Sequence, residues 1–196
     1  MRFARRRENS AHDQILAHYK AVWPDRNVVD AHWTPGSIAQ RLPSLHIAKI
    51  APSSTQSMWT FATIGASDVA PSEPTGLEFV AVAKSDSAAV LMRLGWIAWY
   101  HAGPPENRLG AGHTVPIGEG WVDGSPLDSI LLTLPYLWGP RLEHCSIGHR
   151  HIQVLWALPI HQSERDFKIA HGLEALEQRF EEEHVDFLDP FRPPVA

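Results

Sequence analysis

The segment HIQVLWALPI (residues 151–160) runs directly into HQSERDFKIAHGLEALEQRF (161–180), and the rest of the chain has to be built around that junction. Ile152, Val154, Trp156 and Leu158 alternate with Gln153, Leu155 and Ala157, and both sets are mostly apolar. That pattern predicts a central strand covered on both faces. Pro159 has no N–H for a ladder, so the strand is expected to end there. Ser163 is the expected N-cap of the following helix, with Asp166 three residues on completing a capping box. Ile169, Leu173, Leu176 and Phe180 step by four, three and four, which is one helical face. Gly172 inside that helix costs about 1 kcal/mol relative to Ala, and it is read as a place where another backbone comes close beside His171.

Composition narrows the class. With 196 residues the chain fits one domain, and 44% apolar content with eight Trp is enough for a sizeable core. Sixteen Pro and thirteen Gly argue against an all-helical bundle. A net charge of −5 gives no general attraction to nucleic acid or to an anionic membrane. The lone Cys145 rules out an internal disulfide and favours a reducing compartment. MRFARRRENS lacks the apolar stretch of a signal peptide, and Ala88–Tyr100 is broken by Arg93 and too short to span a bilayer. A cytoplasmic protein is expected.

Taken in order, Met1–Arg7 reads as a frayed start. Ser10 and Asp13 cap a helix striped by Ile15, Tyr19 and Val22 and stopped by Pro24. Asp25–Pro43 reads as loop, with Trp33 against the core. SLHIAKIAP is an ambiguous strand. Met58–Ile64 is a clearer one, with Gly65 starting a turn. Leu77–Ala83 pairs with it across the turn-rich loop Pro71–Gly76. Ser85 or Asp86 caps a helix carrying Val90, Leu94, Ile97 and His101. Residues 103–126 are almost all loop, a length often tied to function. SILLTLP is a strand ended by Pro135, and YLWGPRLEHCSIGH is a connector. The expected division is an N-terminal helix at 1–24, a domain at 25–180 and an acidic, Pro-ended tail at 181–196. Strands and helices without a regular βαβ rhythm give the class α+β: a mixed or antiparallel sheet packed against helices, with an amphipathic helix near the C-terminus.

Three segments together resemble the suppressor-of-fused domain: TIGASD (Thr63–Asp68), GHTVPIGE (Gly112–Glu119) and VLWALPIHQSERDFKIAHGLEALEQRF (Val154–Phe180). Their order and spacing carry the resemblance, which covers roughly residues 40 to 180. In the animal protein this domain is one of two, and it helps hold a zinc-finger transcription factor in Hedgehog signalling with a peptide strand gripped between domains. Bacterial relatives are short, and many look like immunity proteins that neutralise a toxin encoded beside them. This chain resembles those in length. The resemblance implies an α+β fold and a non-enzymatic, protein-binding role; no cofactor is expected.

Other chemistries are weaker. HCSIGHRH gathers His144, Cys145, His149 and His151, and a small metal-dependent hydrolase using His144, His149 and His151 is the alternative reading. No matching ligand pair stands at a recognised spacing elsewhere, so no metal is assigned. Cys145 has no nucleophile signature around it. Glu164, Asp166 and His171 are explained by capping and by the helix dipole, with His171 able to meet Phe167. Thr63, Ser67 and Asp68 read as side chains that stiffen their own loop. The glycines at 110, 112, 118 and 120 lack the Lys and following helix of a phosphate cradle. One feature breaks a local rule: Glu181, Glu182 and Glu183 crowd the negative pole of the last helix. From Ser163 onward nine acids face four bases. An acidic patch of Glu181, Glu182, Glu183 and Asp186, with Phe187 and Phe191 as apolar anchors, is the candidate surface for a basic partner such as a nucleic-acid-cutting toxin.

Overall fold

The computed structural model describes residues 10–32, 36–70 and 72–196; the expectations placed on Met1–Arg7, Trp33 and Pro71 lie outside these. The described residues hold eight strands: β1 Val28–His32, β2 His46–Ile50, β3 Trp59–Ile64, β4 Thr75–Ala83, β5 Thr114–Pro116, β6 Ser129–Thr133, β7 His144–Ile147 and β8 Arg150–Ile160. Six α-helices among the described residues join them: α1 Ala11–Val22, α2 Gly36–Arg41, α3 Ala88–His101, α4 Pro140–Glu143, α5 Gln162–His171 and α6 Leu173–Glu182. The strands make one mixed sheet in the order β1-β2-β3-β4-β8-β6-β5, with β7 also pairing β8. Among the described residues only the β4–β8 pairing is parallel, and the others are antiparallel.

β8 is the hub. Its residues 151–156 pair with β4 on one side, while the other side takes β7 first and β6 from Trp156 onward. The alternation of its side chains divides the core in two. Val154, Trp156 and Leu158 join Ile15 and Tyr19 of α1, Leu142 of α4 and Leu176 and Phe180 of α6 on one face. Leu155 and Ala157 join Ile38 of α2 and Val90, Leu94 and Ile97 of α3 on the other. The α+β expectation and the doubly covered strand both hold.

Several local expectations are corrected. β8 runs through Pro159, which pairs with Ile130. Pairing to β4 has already ended at Trp156, so no partner strand on that side misses the absent N–H. α5 begins earlier than expected: its N-cap is His161, whose backbone N–H donates to Glu164 at 2.9 Å, so Ser163 and Asp166 do not form the cap. Gly172 does not lie inside a helix. At φ 95° and ψ 167° it separates α5 from α6, and no atom lies within 4 Å of where its Cβ would stand. Conformation rather than a close approach requires glycine there. The break turns Ile169 outward, so the continuous stripe is lost, while Leu176 and Phe180 are buried. Those two contribute roughly 1.5–3 kcal/mol each.

The stretch expected as loop at Asp25–Pro43 contains β1 and α2, and the connector after Pro135 contains α4 and β7. Short edge elements carry too few periodic residues to be seen locally. α3 is capped by Ser87 rather than Ser85 or Asp86. α1 is capped as expected, Ser10 and Asp13 bonding reciprocally at 3.2 Å. Residues beyond α6 fold back onto the body: Ser125 Oγ donates to the Pro190 carbonyl at 2.5 Å, and Arg192 is buried.

Candidate partner-binding groove

β6 and β8 present Leu131, Thr133, Trp156 and Leu158 toward α6, and a groove of about 600 Å³ opens between them. Glu177, Phe180 and Glu181 fall at helical spacing i, i+3 and i+4, which places all three along its α6 side. α6 ends where the Val185 N–H reaches back to the Phe180 carbonyl at 3.1 Å and His184 takes a positive φ of 48°. That turn brings Phe187 back between Trp156 and Phe180, edge to face, with ring centroids 5.4 and 5.3 Å away. The floor is therefore apolar and aromatic.

The rim is polar and acidic. Glu177 accepts hydrogen bonds from Thr133 Oγ1 at 2.9 Å and from the Tyr136 hydroxyl at 2.8 Å. Burial and the Glu177 charge push the Tyr136 phenol above its ordinary pKa. Tyr136 and Leu137 also line the groove, yet stand 57% and 47% exposed, unusual for large apolar side chains beside a cavity. The indole Nε1 of Trp156 is buried without a hydrogen-bond partner, an unmet donor in the groove wall.

Of the five residues proposed from sequence, Glu181 and Phe187 line this groove. Phe187 is half-buried, packed against the core where it forms part of the groove wall. Glu182 bonds Gln178 at 2.8 Å, Glu183 is exposed, and Asp186 pairs with Lys84 at 3.2 Å. Phe191 is exposed beside a second hollow. Tyr136, Leu137, Trp156 and Glu177 line the same groove, and the Tyr–Leu pair directly after Pro135 is the only one of these with a local sequence cue, since Trp156 and Glu177 reach it through strand pairing and helix docking.

His144 and His151 are neighbours with rings 5.1 Å apart, but they do not form a three-donor group with His149, and Cys145 is buried in the core. Burial pushes the Cys145 thiol up to about 11, which disfavours a thiolate nucleophile. The hydrolase reading built on His144, His149 and His151 therefore has no assembled metal set. Glu164 is wholly buried against Arg192, and His171 packs on Phe167 at 4.4 Å, so they share no acid–base site with Asp166.

The Thr63–Asp68 turn has a different purpose from stiffening itself. Thr63 Oγ1, Ser67 Oγ and the N–H groups of Gly65, Ala66 and Ser67 all donate to the buried carboxylate of Glu78, at 2.6–3.2 Å. Burial raises the Glu78 pKa against the pull of the bonds from Thr63, Ser67 and Gly65. Tyr19 of α1 donates to the Thr63 carbonyl at 2.8 Å and ties the helix to the same turn. The 112–119 segment likewise serves the frame: it holds β5, and Glu119 pairs with Arg93 of α3 at 2.8 Å.

Comparison with known proteins agrees with this architecture. The family model described as suppressor of fused protein (SUFU) matches residues 41–193. A crystal structure of a putative suppressor-of-fused homolog from Neisseria gonorrhoeae FA 1090 is 27% identical, with a TM-score of 0.81 over 95% of this chain and 97% of that one. The Sufu–Fu complex structure aligns at 12% identity and TM-score 0.72 over 94% and 92%. Drosophila Suppressor of Fused aligns at 12% and 0.70 over 94% of this chain and 51% of its own. At 12% identity the last two speak to the fold alone. No curated protein matches.

Proposed function

The chain belongs to the suppressor-of-fused family, and from that premise we propose that it is a non-enzymatic protein-binding module which captures a basic protein in the groove beneath α6. The observation that carries this reading is an apolar floor rimmed by carboxylates. Leu131, Trp156, Leu158 and Phe187 offer a dry surface, while Glu177 and Glu181 stand where a Lys or Arg flanking an apolar side chain would reach. Glu182 and Glu183 extend the negative field past the helix end. Sufu, which shares the fold, is found in a complex with Fu, and the binding role is carried to this chain by that analogy. The finer proposal is that the partner is a toxin domain and that capture neutralises it. No helix among the described residues is long and apolar enough to cross a membrane.

Affinity capture from the source cell tests this with the intact chain beside Tyr136→Ala and Glu181→Lys, both altered at exposed positions. The expected result is one basic partner, retained by the intact chain and lost by both variants, that slows growth when expressed alone and is relieved by co-expression. Capture indifferent to both variants removes the groove from the proposal. A partner that is harmless when expressed alone removes the toxin.

A further inference from the structure

His12, Asp30 and His46 come from three elements at the far end of the sheet from the groove. His12 is the second residue of α1, Asp30 is the middle of β1 and His46 opens β2. The β1–β2 register sets Asp30 opposite Ala48, so His46 stands on the diagonal, within reach of a long side chain. His12 Nε2 lies 2.8 Å from Asp30 Oδ2, and His46 Nδ1 lies 2.8 Å from Oδ1. The imidazoles meet edge to face with centroids 4.5 Å apart. All three donor atoms fall within 4.8 Å of one another, the only such three-donor group of His, Cys, Asp and Glu among the described residues.

From this juxtaposition we infer that His12, Asp30 and His46 bind one divalent transition-metal ion, with zinc the best match to two imidazole nitrogens and a carboxylate oxygen. A tetrahedral ion about 2.0–2.2 Å from each ligand holds its ligand atoms roughly 3.3–3.6 Å apart. That separation lies between the present 2.8 Å contacts and the 4.8 Å outer limit, so rotation of side chains completes the site without moving a strand. Metal binding replaces the protons that His12 Nε2 and His46 Nδ1 share with Asp30, leaving each ring to carry its proton on the nitrogen turned away, Nδ1 of His12 and Nε2 of His46. Side-chain exposures of 28%, 27% and 24% leave the site reachable from solvent. Three protein ligands keep a fourth position for water. The ion would staple α1 to the edge of the sheet, independently of whatever occupies the groove.

Cobalt(II) titration of the chelator-stripped full chain, followed by visible absorption and then by zinc displacement, tests the site. One equivalent is expected to bind with the absorption of a tetrahedral ion. His12→Gln and Asp30→Asn should each weaken binding by about tenfold or more, since even outer-sphere partners of a metal are worth about 10–100-fold. His144→Gln with His151→Gln should leave binding intact. His12 lies in the partly exposed first turn of α1, so that variant keeps the fold and carries the test if Asp30→Asn does not. No binding of cobalt or zinc, full affinity in His12→Gln, or loss of binding in the His144/His151 pair would each overturn the inference.

Discussion

Arg192 closes on Glu164 as a two-pronged ion pair, Nη1 to Oε1 at 2.6 Å and Nη2 to Oε2 at 2.7 Å, with side-chain exposures of only 4% and 0%. The backbone N–H of Val195 adds a third donor to the same carboxylate, and His161 bonds the Arg192 carbonyl at 2.8 Å. The last residues of the chain are thus bound to the start of α5, beside the end of β8. Removing one partner strands a buried charge. Arg192→Met is expected to cost about 3–5 kcal/mol, and Glu164→Leu combined with Arg192→Met far less than that. Urea unfolding midpoints measure both, and equal losses in the single and double variants would contradict the pairing.

The Glu78 carboxylate offers a second test, because five donors use its oxygens purely as acceptors. Glu78→Gln turns an amide N–H₂ toward some of those donors and should cost at least about 2 kcal/mol. Thr63→Val removes one donor and leaves the Phe79 N–H, now bonded to Thr63 Oγ1 at 2.8 Å, unsatisfied. A cost of about 1–3 kcal/mol follows. An unchanged denaturation midpoint in either variant would show that the turn is not built around this carboxylate.

Acid should weaken the α3 end of the domain through His101. Burial, helped by Arg108, lowers its pKa from 6.5 to about 4. The neutral ring accepts the Leu109 N–H at Nδ1, 3.0 Å away, a bond that a protonated ring cannot make. The folded state binds fewer protons than the unfolded one, so this contribution is whole above pH 6.5 and is lost as pH falls from there to about 4. The loss is about 3 kcal/mol. His101→Gln should flatten that part of the stability–pH curve relative to the parent, and parallel curves would rule the mechanism out.

Gly172 separates conformation from packing. Its φ of 95° with ψ 167° is backbone that only glycine adopts readily, yet nothing crowds its Cβ position. Gly172→Ala is therefore expected to lose about 1–3 kcal/mol through backbone strain alone. Thermal unfolding reports it, and a variant as stable as the parent would mean that α5 and α6 can fuse into one helix.

What was readable from sequence is what repeats at short range. The double alternation in Val154–Leu158, the Ser10–Asp13 cap, the Val90–Leu94–Ile97 stripe and the α+β class all rest on residues within one or two turns or one strand of each other. Pairing, alternation and capping energies act over that distance, so their pattern is written locally. The break at Gly172 was hidden because a helical stripe and two short helices share the same spacing.

The tertiary structure alone decided which distant groups meet. Glu78 is caged by the 63–67 turn because β3 and β4 pair antiparallel. The groove exists because β8 lies beside β6 while α6 folds over both. The Arg192–Glu164 pair and the His12–Asp30–His46 trio each join parts of the chain whose local propensities are silent about one another. Desolvation and charge pairing reward a contact only after the sheet order has brought its partners together, so no window of sequence holds the information.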